Sequence, residues 1–135
     1  MAVLRILGVF VALAVGSGAA NASYLCLGEA ATGMSYDHQA KRWGTKTFHV
    51  KDSKYTLKAA NGVWSWNQFG APDQALQCKS GGNDLIACDG GPTYVMFSKK
   101  TLRFQLIYVS VATVLPVEGK DIPTPLIEIG TCSNI

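Results

Sequence analysis

The chain is poor in the side chains that most enzymes use for catalysis. It has only two histidines in 135 residues, and no G-x-S-x-G, S-x-x-K or H-E-x-x-H motif occurs in it. Those motifs provide an activated serine nucleophile or a catalytic zinc site. The sequence therefore gives no sign of a serine hydrolase or a zinc peptidase, and it does not require an enzyme.

Charge of either sign is also scarce, because charged residues make up 16% of the chain and the formal net charge is +3. The nearest feature to a basic patch is the KRW stretch at 41–43 with spaced lysines after it. Nucleic-acid binding needs a clustered basic stripe, so we expect no nucleic-acid partner. The C-x-x-C and H-x-x-x-H pairs that hold zinc are absent as well, and we expect no metal and no cofactor.

Long apolar runs are absent except near the N-terminus. Arg5, the apolar run from Ile6 to Val15 and the A-x-A pattern at 20–22 together predict a secretory signal peptide over residues 1–22. That run is shorter than the roughly 20 residues needed to span a bilayer. We therefore expect cleavage before Ser23, a periplasmic or secreted protein, and no membrane span after cleavage.

The four cysteines, Cys26, Cys78, Cys88 and Cys132, all follow the predicted signal peptide. An even number of cysteines in a small exported domain indicates disulfides, and four thiols allow three pairings. The sequence alone does not choose among these pairings. We favour Cys78–Cys88, because a Ser-Gly-Gly-Asn turn brings them together, and Cys26–Cys132, which would join the first strand to the last.

Turn-forming residues interrupt residues 23–135 about every 8–12 positions, a spacing typical of an all-β sandwich or barrel. We therefore predict one small, disulfide-braced antiparallel domain. A helix of barely two turns is possible at 71–78, APDQALQC. Strands are predicted near 23–27, 33–37, 46–50, 55–59, 63–69, 84–88, 93–98, 101–113 and 126–132.

Aromatic side chains are the best candidates for a binding surface. Strand alternation places Trp64 and Trp66 of NGVWSWNQFG on one face, where they either cover the core or grip a ligand. Trp43, in the predicted basic turn, and Tyr36 precede them. These four residues are the predicted ligand-binding positions, since Trp and Tyr dominate binding hot spots.

A catalytic alternative uses His38 and His49. A ribonuclease-like hydrolase would need both imidazoles to converge on one phosphate, one as base and one as acid. Among the carboxylates, only Glu128, in LIEIG, has apolar neighbours. We expect its side chain to point to solvent or to pair with Arg103 across the sheet.

Four segments carry a resemblance: YLC at 24–26, TGMSYD with KRW at 32–43, FSKKTLRF at 97–104 and TPLIEIGTC at 124–132. They resemble a class of small exported bacterial proteins of uncharacterised function, which implies no activity. The predicted architecture is also similar to that of the periplasmic lysozyme inhibitors. Their Ser-Gly-x-x-Tyr motif is absent, because Asp84 ends SGGND where the tyrosine would stand.

These patterns favour an exported, non-catalytic β-domain that binds a protein or a small ligand through its loops and aromatic positions. The alternatives are the hydrolase using His38 and His49 and a lysozyme-inhibitor-like protein. The sequence does not identify the ligand or the oligomeric state.

Overall fold

The structure, a computed structural model, describes residues 21–117, 119 and 122–135, which form a nine-stranded antiparallel sheet. Most of the predicted signal peptide lies outside these residues. The strands are β1 (Ser23–Asp37), β2 (Arg42–Phe48), β3 (Lys54–Ala60), β4 (Val63–Gln68), β5 (Leu76–Ser80), β6 (Leu85–Gly90), β7 (Thr93–Ser98), β8 (Arg103–Tyr108) and β9 (Leu126–Asn134).

The sheet closes into a barrel of eight strands. β3 to β9 pair in chain order, and β1 pairs with β3 on one side and with β9 on the other. Closure leaves no exposed edge among these eight strands, which protects them against strand addition. The prediction of a small antiparallel all-β barrel is confirmed, and the sandwich alternative is not the observed form.

The ninth strand, β2, extends β1 beyond the barrel. The β1–β9 pairing ends at Gly33, whereas β1 continues to pair with β2 as far as Asp37 and Arg42. Residues 34–45 therefore form a projecting two-stranded ribbon, called the arm below. The prediction of a basic turn at Trp43 was wrong, because this residue lies within β2 opposite Tyr36.

The segment predicted as a possible helix, 71–78, is divided between a single 3-10 turn and the start of a strand. The turn, Pro72–Gln74, is followed after Ala75 by β5. A longer helix would remove the β5 ladder that links β4 to β6. Within the described residues, no helix has the length and apolar character needed to cross a membrane.

Both disulfides lie inside the barrel, and each joins residues directly opposite on neighbouring strands. Cys26–Cys132 links β1 to β9 across a separation of 106 residues, and Cys78–Cys88 links β5 to β6 across 10. The favoured pairing is confirmed. Two structural disulfides are typical of proteins that fold in an oxidising, extracellular or periplasmic setting.

Side chains on β9 alternate in the phase opposite to the one we expected. Glu128 is only 4% exposed and points into the barrel, while Ile127 and Ile129 are 46% and 42% exposed. Arg103 does not pair with Glu128, because its guanidinium donates to Glu29 on β1 at 2.7 Å. The expectation of a solvent-facing Glu128 was wrong: the buried disulfide at Cys132 fixes even-numbered residues of β9 on the inside.

The two ends of the barrel differ. The closed end carries the short turns β3–β4, β5–β6 and β7–β8, and its interior is filled by Tyr24, Phe97 and the half-buried Trp64. The open end carries the longer β4–β5 and β8–β9 connections, the β6–β7 turn and the arm. The asymmetry leaves a cavity at the open end.

Candidate functional site

The open end of the barrel contains a cavity of about 520 Å³, called the cup below. The strands contribute its wall, because alternate residues of β3 to β9 point inward there. Its volume lies within the roughly 300–1,000 Å³ typical of small-molecule sites. The cup is lined by Tyr55, Trp66, Gln68, Gln74, Ala75, Leu76, Gly90, Thr93, Leu106, Tyr108, Leu126 and Glu128.

Glu128 is the only carboxylate that lines the described cup. Its Oε2 accepts hydrogen bonds from the Tyr55 hydroxyl at 3.0 Å and the Ser53 hydroxyl at 3.2 Å, both contributed by β3 or the residue before it. Its Oε1 is buried without a hydrogen-bond partner among the described residues. One oxygen of the carboxylate is therefore held in place, and the other is unsatisfied.

Gly28 on β1 makes room for this carboxylate. A Cβ built at Gly28 would collide with Glu128 Oε1 and with the Ser53 side chain. The backbone N–H of Gly28 is unavailable to Oε1, because it donates to the Ser53 carbonyl at 2.9 Å. Gly28 therefore leaves room for the Glu128 carboxylate but donates no hydrogen bond to its Oε1.

The electrostatics of the site favour the neutral carboxyl. Burial raises the pKa of Glu128 above its ordinary value of 4.5, and the hydrogen bonds from Tyr55 and Ser53 offset only part of that rise. Burial and the nearby Glu128 likewise raise the pKa of Tyr55. No Lys, Arg or His lines the cup within the described residues, so no cation balances Glu128 when it is ionised.

Aromatic rings form the floor of the cup. Trp66 is 2% exposed and stacks on Tyr55 with ring centroids 4.9 Å apart; it also contacts Phe104 at 5.1 Å. Tyr108 adds a third aromatic side chain to the lining. Ring faces of this kind attract apolar groups and cations.

The rim of the cup is formed by the 3-10 turn and by small residues. Gln74 and Ala75 close one side, and Gly90 lies against the Leu76 side chain, where a Cβ would collide with it. Gly90 carries no side chain, and the Leu76 side chain occupies the space beside it.

The four predicted ligand-binding residues lie in three separate parts of the structure. Trp66 lines the cup, whereas Trp64 is half-buried at the closed end, with its ring 6.0 Å from that of Tyr24. Tyr36 and Trp43 form an edge-to-face pair at 5.5 Å on the arm. The aromatic positions therefore do not form one surface.

The two histidines lie beyond opposite ends of β2. His38 follows β1 and contacts the Tyr36 ring at 5.2 Å, while His49 follows the end of β2. The length of β2 between them is roughly 20 Å at about 3.3 Å per residue. This separation does not favour a shared phosphate site. No group of three His, Cys, Asp or Glu side chains in the described chain is placed to hold a metal ion.

A second notable surface is apolar and faces outward. Tyr94 and Met96 of β7 lie beside Ile107 of β8, which is opposite Ile127 of β9, and the described residues leave this surface uncovered. A larger depression of about 740 Å³ lies beside it, under the β8–β9 connection. The one buried polar group of that depression, Ser110, already donates to the Pro123 carbonyl at 2.7 Å. The cup is the stronger candidate, because a buried polar group there lacks a partner.

The sequence interpretation missed most of the cup. Tyr55, Tyr108 and Glu128 were not proposed as binding residues. The position of Cys132 provided a usable signal, because residues two apart on a strand face the same side of the sheet. Counting back from the buried Cys132 by twos places Gly130, Glu128 and Leu126 on the inside of the barrel.

Comparison with protein-family models, with curated proteins and with solved structures finds no match to this chain.

Proposed function

We propose that the protein is an exported binding protein that holds a small organic ligand in the cup at the open end of its barrel. The observation that carries this proposal is the buried Glu128 carboxylate, which lines the cavity and has one oxygen without a partner. Buried polar groups are almost always hydrogen-bonded, because leaving one unsatisfied costs about 1–3 kcal/mol. A polar ligand group would remove that cost.

The composition of the cup supports binding of a ligand with an apolar body. Leu76, Leu106 and Leu126 share the wall with the aromatic rings, and Gln68, Gln74, Thr93 and Glu128 add polar groups to it. Small-molecule sites commonly combine apolar side chains that contact the body of the ligand with fixed polar groups that orient it. A single carboxylate favours binding over glycoside cleavage, which uses two carboxyl groups.

The scaffold supports a pre-formed site. The closed barrel and the two disulfides fix the strands that carry Tyr55, Trp66 and Glu128. A pre-organised site loses less conformational entropy when its ligand binds. The disulfides also support a location outside the cytoplasm, where the predicted signal peptide would direct the chain.

The test is to block the cup at its rim. Ala75→Trp places a large ring at the mouth of the cup, and Ala87→Trp makes the same change on the exposed outer face of β6. We expect the neutral fluorescent amine N-phenyl-1-naphthylamine to bind the unmodified protein and Ala87→Trp with equal affinity. Binding to Ala75→Trp should be at least 10-fold weaker.

Fluorescence titration gives the affinities, and thermal unfolding confirms that both variants fold. Chemical-shift changes at the cup residues locate the bound dye. Equal binding to both variants, or shift changes confined to the outer face, would overturn the proposed function.

A further inference from the structure

The charge balance of the cup restricts the chemistry of its ligand. Glu128 is bonded only to two neutral hydroxyl groups, and no basic side chain lines the described cup. The nearest described ion pair on the neighbouring strands, Arg103 with Glu29, lies on the outer surface. An ionised Glu128 is therefore a buried negative charge that the chain itself does not balance.

The chain also does not provide a second donor for the carboxylate. Oε1 lies where a side chain at Gly28 would project, and the Gly28 N–H already has an acceptor. Buried charges in proteins are paired, coordinated to metal ions or neutralised. With no pairing group in the described wall, Glu128 is either neutral or balanced by a positive charge that a ligand in the cup provides.

We propose that the ligand of the cup carries a protonated amine on an apolar body, and that Glu128 binds this ammonium group beside the ring faces of Trp66 and Tyr55. This inference rests on the proposed function of the cup. An ammonium ion within about 4–6 Å of a carboxylate favours its ionised form. The stacked Tyr55 and Trp66 rings add attraction for a cation, and the leucines of the wall accommodate the apolar body.

The experiment compares amines with alcohols of the same skeleton. The probes are benzylammonium, phenethylammonium, cyclohexylammonium and hexylammonium, each paired with its alcohol, and binding is followed by NMR titration of the full mature protein. We expect each ammonium probe that perturbs the cup residues to bind at least 10-fold more tightly than its alcohol at pH 7.5.

Two glutamate-to-glutamine variants test the role of Glu128, one at Glu128 itself and one at the exposed Glu29 as a control. Glu128→Gln should lower the affinity for the ammonium probes at least 10-fold and change that for the alcohols less than 2-fold. Glu29→Gln, on the exposed surface, should change neither. Spectra of the residues outside the cup show whether each variant keeps the fold.

A measurement without mutation covers the case in which Glu128→Gln does not fold. Affinity for the ammonium probes should fall as the pH is lowered through the raised pKa of Glu128 and this carboxylate becomes protonated, whereas alcohol binding should not change. The other titratable groups of the described cup are the phenols Tyr55 and Tyr108.

The outcomes separate the two proposals. If alcohols bind in the cup as tightly as amines, or if amine affinity does not change with pH, the ammonium inference is wrong and the proposed function stands. If neither the amines nor the alcohols perturb the cup residues and the dye also fails to bind there, both proposals are wrong.

Discussion

The two ends of the barrel are made from the same strands, but they are packed differently. At the closed end, Tyr24 fills the space between Phe97, at 4.9 Å, and Trp64, at 6.0 Å, and short turns join the strands. At the open end, Thr93 occupies an inward position that a larger side chain would otherwise fill, and the Leu76 side chain covers Gly90. The strands therefore fix the width of the barrel, and the sizes of the inward residues decide which end holds a cavity.

We expect the closed end to contribute most of the stability and the open end to bind the ligand. The disulfides and the fully buried Phe97, Val95 and Ile86 lie below the cup, so packing energy is concentrated there. The cup instead contains a carboxylate whose burial opposes folding when it is ionised. Binding sites commonly contain such locally unfavourable groups, because the rest of the fold stabilises them.

The largest expected effect is the loss of the disulfide that closes the longer loop. Replacing Cys26 and Cys132 with alanine should lower the free energy of unfolding by about 4–5 kcal/mol, against about 3 kcal/mol for Cys78 and Cys88, because the constraint on the unfolded chain grows with loop length. Urea unfolding measures both. Equal losses, or the reverse order, would contradict the chain-entropy explanation.

The next effect contrasts one apolar side chain from each end. Phe97→Ala should cost about 3–5 kcal/mol, because Phe97 is fully buried and its removal leaves a cavity in packed core. Leu126→Ala should cost less than about 2 kcal/mol, because Leu126 is half-buried at the wall of a cavity that already exists. Urea unfolding again supplies the free energies, and similar losses would mean that the open end is packed as tightly as the closed end.

The smallest effect concerns the pH dependence of stability. The pKa of Glu128 is raised in the folded protein, so its stabilising contribution is complete below about pH 4.5 and is lost as the pH rises through the folded pKa. Each unit of that rise costs about 1.4 kcal/mol once the group ionises. Glu128→Gln should therefore remove a fall in stability that the unmodified protein shows above about pH 4.5.

Glu29→Gln is the matched control for this measurement. The hydrogen bond from Arg103 lowers the pKa of Glu29, so its contribution has the opposite sign: it is present above the ordinary carboxylate pKa and is lost as the pH falls. Because both partners are exposed, the effect should be too small to shift the urea midpoint. Urea midpoints between pH 4 and 8 that fall equally in the unmodified protein and in Glu128→Gln would contradict the buried position of Glu128.

Several features of the fold were predictable because their causes are local. Turn residues such as Asn61-Gly62 adopt positive φ angles of 51° and 78° and connect β3 to β4 in a two-residue hairpin. The SKK turn likewise joins β7 to β8, and the alternation from Phe104 to Leu106 gives the inward face of β8. The all-β class and the favoured Cys78–Cys88 pairing followed from such signals, whereas Cys26–Cys132 joins strands from the two ends of the domain.

Other features depended on contacts distant in sequence. Leu76–Ser80 became a strand because β4 and β6 pair with it on both sides, although its sequence also suited a short helix. Trp43 became part of β2 because β1 extends past β9 and offers it a partner. Local propensity is a weak guide where such pairing decides the structure.

A small all-β domain with two disulfides could be predicted from the amino-acid sequence, because turn residues and strand alternation act over short stretches of chain. The inward direction of Glu128 and the solvent-facing positions of Ile127 and Ile129 instead depend on contacts between distant strands. A strand of alternating residues suits either phase, and the choice depends on which face closure and the disulfide turn toward the core. The cup exists only in the closed barrel, because seven different strands contribute its wall.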